Sequence, residues 1–262
     1  KVIDLKTPQQ IKSFRPGSMD HINNPVCSNI EGQYPQIADE ISKIIEDCRN
    51  EKIYIVQITG QYYNRRDYYL KKFISYLDSL SIFNVHICLN NIHKEIPLSL
   101  ISMILRDSAC YIKNSEKFSN KEIIYFRNSN SKIILDILYK FCPNLRILFD
   151  EKENETGNSQ IVVEDTNIIF TALKTFLKFI HSKCNPLIFY IDNLNNCDTD
   201  SLKILYQIIL KEESLGLLFI FSSNNNARLP HSLKDINIST KEIIINDLNY
   251  DTIKKSLKIT LK

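Results

Sequence analysis

Residues 185–202 read Asn185-Pro-Leu-Ile-Phe-Tyr-Ile-Asp-Asn-Leu-Asn-Asn-Cys-Asp-Thr-Asp-Ser-Leu202, and the interpretation of the chain starts from this stretch. An apolar run from Leu187 to Ile191 follows Pro186 and ends at Asp192. A run of this length, bounded by polar residues, is typical of a strand buried on both faces of a parallel sheet. Open α/β sheets bind ligands at the carboxyl ends of their strands. Asp192 is therefore a candidate binding residue, and a carboxylate that only caps the following turn is the alternative.

The stretch resembles the Walker B region of AAA-type P-loop NTPase domains in large signalling proteins, above all hybrid histidine kinases. Asp192 stands at the first acid of that region and Asn193 at the second, and Asp198, Ser201 and Leu202 match directly. The resemblance covers about residues 30–262. It implies a P-loop NTPase fold with the strand order 5-1-4-3-2.

Asn193 is the first departure from the pattern of active members. In those proteins the second acid polarises the attacking water, and an amide cannot accept a proton at neutral pH. We therefore expect no catalytic residue here, because Asn193 replaces the acid. Asp192 is expected to be kept for structure, held by the 193–198 turn or by an arginine from the neighbouring loop.

The phosphate-binding loop is the second departure. The β-branched and aromatic run 53–58 predicts a strand, and residues 68–80 predict a helix, which is the context of a Walker A motif. In the loop between them Arg65, Arg66 and Asp67 replace the second Gly, the Lys and the Ser/Thr of G-x-x-x-x-G-K-[ST]. Side chains there crowd the backbone around a phosphate, and Asp67 adds a negative charge. The alternative is that the two arginines bind phosphate through their side chains.

The degenerate site combines this loop with the strand ends. Asn224 stands near the arginine that such domains carry after the fourth strand. The candidate nucleotide-binding residues are Gly60, Arg65, Arg66, Asp67, Asp192 and Asn224. We expect no cofactor, with ATP and Mg²⁺ as the alternative, and no metal site.

The remaining pattern alternates strands and helices. Further strands are predicted at 84–88, at 215–221 and in the strand and turn 241–251, and helices at 37–48, 95–111, 133–141, 168–180 and 202–210. This alternation predicts a three-layer α/β/α domain with a five-stranded parallel sheet. We divide the chain into a lead-in (1–30), the P-loop NTPase-like domain (31–247) and the start of a helical lid (248–262).

Composition limits the partners. The 262 residues carry 33 basic and 30 acidic side chains, a balance from which we expect no nucleic-acid partner. Seven cysteines are scattered without a CxxC pair, which favours reduced thiols over disulfides or a zinc site. No apolar run approaches the roughly 18 residues that a membrane span needs, so we expect a cytoplasmic protein.

Three functions follow as hypotheses. The first is a degenerate, non-hydrolysing regulatory module of a large multidomain signalling protein, a hybrid histidine kinase in a two-component phosphorelay, which contacts other domains and signalling proteins. The second is an ATP-binding NTPase switch, with Arg66 and Asp192 as its phosphate and metal residues. The third is a replication-type AAA subunit, a class in which some members also lose Walker residues.

Overall fold

The fold is built around strand β3, Leu187–Asp192, every residue of which is buried. The structure is a computed structural model that describes residues 34–50, 52–59, 71, 73–149, 165–212, 215–223 and 239–244. These residues belong to one compact unit, Gln33–Asp247. The predicted lead-in (1–30) and helical lid (248–262) lie outside the described residues, so the division of the chain into three parts stays a prediction.

The described elements alternate as the sequence pattern predicts. In chain order they are α1 Tyr34–Arg49, β1 Ile53–Thr59, helical residues 73–79, β2 Asn84–Cys88, the 3₁₀ helix Asn91–Lys94, α2 Ser99–Asn114, α3 Asn120–Ser129, α4 Lys132–Phe141, α5 Asn144–Leu148, α6 Thr166–His181, β3 Leu187–Asp192, the 3₁₀ helix Leu194–Asn196, α7 Thr199–Lys211, β4 Leu217–Ser223 and β5 Ser239–Ile244.

The five strands form one parallel sheet in the order β5-β1-β4-β3-β2. This is the order that the resemblance to AAA-type domains implies. The α/β class, the five parallel strands and their order are confirmed. The topology is that of an AAA-like P-loop NTPase domain.

Side chains of each strand alternate between two buried faces. Leu187, Phe189 and Ile191 of β3 lie in the large core that is completed by α2, α4, α6 and α7. Ile188 and Tyr190 are buried on the opposite face, outside that core. Helix α1 packs on β1 and β4 and buries its own stripe, Ile41, Ile44, Ile45 and Cys48. Two helical layers therefore enclose the sheet.

Gly216 marks the closest approach between α1 and the sheet. A Cβ atom at Gly216 would overlap the carbonyl oxygen of Cys48, the penultimate residue of α1. The side chain of Asn185 also donates to the carbonyl of Arg49 over 3.0 Å, and the Cys48 Sγ lies 3.7 Å from the Leu217 carbonyl oxygen. The start of β4 is thus fixed against the end of α1 by backbone contact, for which only glycine leaves room.

Two helices differ from the sequence prediction. Helix α2 begins at Ser99 rather than 95, because residues 91–94 form a 3₁₀ turn and Leu98 adopts a left-handed conformation. Helix α3 is an addition, and it begins with a capping box in which Ser119 and Glu122 bond each other's backbone. In the part of the chain that the structure describes, no helix is long and apolar enough to cross a membrane.

Candidate functional site

Asp192 lies at the carboxyl edge of the sheet, between the ends of two neighbouring strands. Strand pairing places Cys88 of β2 on one side of it and Ser222 of β4 on the other. The residue is 3% exposed, so its carboxylate needs hydrogen-bond donors. The Ser222 hydroxyl donates to Oδ1, and the Cys88 Sγ lies 3.7 Å from Oδ2.

A tyrosine orients the serine. The Tyr190 hydroxyl donates to the Ser222 Oγ over 2.8 Å, and both groups are buried. Because that bond occupies an acceptor site of the serine, the serine proton is directed to Asp192. The Tyr190 ring also stacks on His86 of β2, with ring centroids 4.7 Å apart. The three strands β2, β3 and β4 are thereby tied together at this edge.

Asn193 begins the turn that follows β3. It is left-handed, with φ 56° and ψ 48°, a conformation that asparagine adopts more readily than most residues. Its backbone N–H donates to the Ser222 carbonyl over 3.1 Å. Its side-chain amide donates to the Leu89 carbonyl over 3.4 Å and to the Asp192 Oδ2 over 3.3 Å.

The amide of Asn193 has a role here that a carboxylate could not take. A carboxylate only accepts hydrogen bonds at neutral pH, so it could not donate to the Leu89 carbonyl. It would also bring a second negative charge against Asp192, which raises the free energy of a buried site. The departure from the Walker B pattern therefore fits the local structure.

The tail of the motif starts helix α7. The Asp198 carboxylate accepts from the Ser201 N–H over 2.8 Å, and the Asp198 carbonyl accepts from the Leu202 N–H over 3.1 Å. This is an N-cap, which satisfies N–H groups that have no partner within the helix. The matching residues of this tail thus have a structural explanation.

Five of the six candidate nucleotide-binding residues lie outside the described residues. They are Gly60, Arg65, Arg66, Asp67 and Asn224. Asp192 is the one that the structure describes, and it lies at the predicted edge of the sheet. A bond between either arginine and Asp192 stays a prediction.

The described part of the predicted site holds one carboxylate, that of Asp192, with the amide of Asn193 beside it. Mg²⁺ in such sites is bound through carboxylates and phosphate oxygens. Here the carboxylate of Asp192 accepts hydrogen bonds from Ser222 and Asn193, and the neighbouring acid is an amide. Within the described ranges, no three His, Cys, Asp or Glu side chains come together as metal ligands would.

The partners of Asp192 were not predicted from the sequence. Ser222 carries the available signal, since it is a polar residue that ends an apolar strand, as Asp192 does. Cys88 and Tyr190 carry none, because only the register of the strands brings them to the carboxylate or to its serine.

Comparison with known proteins gives distant structural similarities. No protein-family model matches the chain, and no curated protein matches. One similar solved structure is that of Drosophila ORC bound to AT-rich DNA and Cdc6, with 10% identity over 98% of this chain and 39% of that chain, and a TM-score of 0.47. Drosophila ORC bound to GC-rich DNA and Cdc6 gives 9% identity over 98% and 38%, and 0.43. Drosophila ORC bound to DNA gives 9% identity over 87% and 99%, and 0.40.

The chain spans about two fifths of the length of the first two of these chains. At such TM-scores the similarity adds nothing to the argument from strand order. It does correct one expectation. The exclusion of a nucleic-acid partner is wrong, because the similar structures are of assemblies bound to DNA. Net charge averages over the whole chain, whereas binding to phosphates depends on where the basic side chains lie.

Proposed function

We propose that this chain is an AAA-like module that works as a subunit or domain of a larger protein assembly, through packing and partner contacts, and does not hydrolyse ATP. The observation that carries the proposal is the bonding of Asn193. Its amide donates both to the Leu89 carbonyl and to Asp192, at the position where active members hold a water-polarising acid.

The chemistry of hydrolysis requires a group that accepts a proton or orients the attacking water. The NH₂ group of Asn193 donates to two acceptors inside the protein, and an amide cannot accept a proton at neutral pH, so Asn193 cannot act as the base. The sequence of the preceding loop supports the same conclusion, since Arg65, Arg66 and Asp67 replace the residues that hold the phosphates and the metal. We therefore propose that the module needs neither ATP nor Mg²⁺ to fold or to act.

Two parent proteins fit this module. A replication-type AAA subunit combines the observed strand order with a degenerate site, and it permits DNA in the assembly. The alternative is the regulatory module of a hybrid histidine kinase, which the tail Asp198, Ser201 and Leu202 supports by sequence. The flanking sequence of the full-length protein distinguishes them: a winged helix after the module favours the first, and a kinase-like domain before it with a histidine-kinase core after it favours the second.

We place the protein in a reducing intracellular compartment. The support is that Cys48, Cys88, Cys110, Cys142, Cys184 and Cys197, the cysteines among the described residues, are free thiols. Disulfides are rare in such compartments.

The test of the proposal is an ATPase assay on the purified chain with Mg²⁺, on Asp192→Ala and on Asp200→Asn. Asp200 is the matched control, because its carboxylate is 45% exposed, lies two residues beyond Asp198 in α7 and pairs with Lys203. We expect phosphate release at background for all three proteins. Turnover that Asp192→Ala abolishes and Asp200→Asn retains would refute the proposal.

A further inference from the structure

A single buried carboxylate links the turn behind Asp192 to the start of helix α2. Asp198 is 4% exposed and receives four hydrogen bonds. Its Oδ1 accepts from the N–H of Leu98 and from the N–H of Ser201, both over 2.8 Å. Its Oδ2 accepts from the N–H of Ser99 over 3.1 Å and, at the same distance, shares the single proton of the Ser99 hydroxyl with the His93 carbonyl. One side chain therefore caps the starts of two helices, α2 and α7, that are far apart in sequence.

The start of α2 depends on that carboxylate. Leu98, its N-cap residue, is left-handed at φ 61° and ψ 23° and supplies no side-chain cap of its own. Leucine rarely adopts this conformation, which persists only where the surroundings hold it. Leu98 is also buried, so its backbone N–H has no water to replace a lost acceptor.

The same turn is tied to the exit of β2 on its other side. The Asn193 and Asn196 amides both donate to the Leu89 carbonyl, over 3.4 and 3.5 Å. The 3₁₀ helix Leu194–Asn196 packs against the 3₁₀ helix Asn91–Lys94. The Ser99 hydroxyl in turn bonds the His93 carbonyl over 3.0 Å. The 193–198 turn, the residues that follow β2 and the start of α2 thus each contact the other two, and Asp198 joins the turn to α2.

We propose that Asp198 is a positioning residue for the Asp192 edge. Through it the 193–198 turn and the first turn of α2 unfold and refold locally together, as one cooperative unit. The inference goes beyond the proposed function, because it concerns how this edge is coupled to α2 and not whether ATP is hydrolysed. Its consequence is that a partner bound at the edge changes the exposure of the start of α2, and a partner bound at α2 changes the edge.

The ionisation of Asp198 fits this role. Burial by itself raises the pKa of the carboxyl group, but hydrogen bonds from Ser201, Leu98 and Ser99 outweigh it and hold the pKa below its ordinary value. The group is an anion at neutral pH, and hydrogen bonds to an anion are stronger than those to a neutral acceptor.

The test compares two variants of Asp198 by hydrogen–deuterium exchange of the full chain without nucleotide. Asp198→Ser keeps an N-cap for α7, because serine is a good N-cap residue, but its short side chain cannot bridge to α2. Asp198→Ala loses both connections. Asp200→Asn is the control, since Asp200 lies in α7 and pairs with Lys203, outside the contacts that Asp198 makes.

We expect Asp198→Ser to leave the start of α7 protected and to speed exchange by about tenfold or more at residues 98–101, at 193–197 and at 89–94. Tenfold corresponds to one lost charge-assisted hydrogen bond, and this variant loses those from both Leu98 and Ser99. In Asp198→Ala, exchange should also become faster at residues 199–202. In Asp200→Asn, exchange should change in none of these segments. If Asp198→Ser behaves as the wild type, or if exchange rises at 98–101 alone, the residue is only a cap and the proposal is overturned.

A milder variant covers the case in which Asp198 substitutions do not fold. Ser99→Ala removes only the hydroxyl bonds to Asp198 and His93, and we expect a smaller rise in the same three segments. A rise confined to residues 98–101 in this variant would also overturn the proposal. Hydrogen–deuterium exchange is measured without ATP. ATP turnover in the ATPase assay would therefore refute the proposed function without changing what the exchange experiment says about Asp198.

Discussion

Replacing Asp198 by asparagine should destabilise the domain much more than the same change at the neighbouring Asp200. Asparagine keeps the shape of the side chain but loses its charge. It also turns one acceptor into an NH₂ group that faces N–H donors. The wild-type carboxylate accepts from Leu98, from Ser99 twice and from Ser201, so at least one buried donor is left unpaired.

The magnitude follows from the burial of these donors. Hydrogen bonds to a charged group contribute about 1.5–3 kcal/mol each, and the contributions do not add in full. Asparagine can retain about two of the four bonds, so the loss of the other two gives about 3–5 kcal/mol. We expect a loss of about 3–5 kcal/mol in the free energy of unfolding for Asp198→Asn. Asp200→Asn, which breaks an exposed ion pair with Lys203, should lose no more than about 1 kcal/mol.

The dependence on pH is part of the prediction. The pKa of Asp198 is lower in the folded chain than the ordinary value of about 3.9 expected when unfolded. Its contribution is therefore fully present above about pH 5 and is lost as the pH falls through the lower folded value. The stability gap between wild type and Asp198→Asn should be constant from pH 5 to 8 and should narrow below about pH 4.

Urea unfolding followed by far-UV circular dichroism measures the gap, since the chain has no tryptophan for fluorescence. The measurement is made at pH 7, 5, 4 and 3 for the wild type and both variants. A loss for Asp198→Asn equal to that of Asp200→Asn, or a gap that stays constant down to pH 3, would refute the reasoning.

Three further predictions test the packing, one ion pair and the thiols. Gly216→Ala should lose about 3 kcal/mol or more in urea unfolding, because its Cβ overlaps a backbone carbonyl of α1; a neutral effect would contradict the close approach. The ion pair with Lys183, together with bonds from Ser119 in the α3 cap, lowers the pKa of Glu122 to about 2. Lys183→Ala should therefore raise that pKa toward about 4.3 in a carboxyl-carbon NMR titration, and an unchanged pKa would disprove the pairing. Cys88→Ser and Cys110→Ser should each remove one fast-reacting equivalent toward a thiol reagent, because both cysteines are exposed; a variant that removes none would contradict that exposure.

The strands could be predicted because their information is local. The run that ends at Asp192 is apolar throughout, and residues 84–88 alternate apolar and polar side chains, so each pattern identifies a strand without knowledge of its neighbours. The order of the strands came from the resemblance, since no local pattern encodes it.

The start of α2 could not be predicted for the opposite reason. Apolar spacing continues the helix back to residue 95, but Leu98 is held left-handed by Asp198, which lies 100 residues further along the chain. Helix α3 was missed because its periodicity is weak, with only Ile123 and Phe126 buried. The capping box at Ser119 and Glu122 was the signal that could have identified it.

The candidate site divides in the same way. Asp192 is predictable, because a carboxylate that ends a buried strand is visible in the sequence. Its bonds to Ser222 and Asn193 depend on strand register and on a left-handed turn. The sequence therefore predicts that Asn193 cannot act as a catalytic acid. It does not predict that its amide donates hydrogen bonds to neighbouring groups.

The central claim, that the module works without ATP, is tested most directly by thermal unfolding with and without nucleotide. A ligand at a hundredfold excess over its Kd stabilises the folded state by about 2.7 kcal/mol, which is several degrees for a domain of this size. The account predicts the same Tm in buffer, with millimolar Mg²⁺ and with millimolar Mg-ATP. A rise of several degrees with Mg-ATP that Mg²⁺ alone does not produce, and that Asp192→Ala removes, would contradict it.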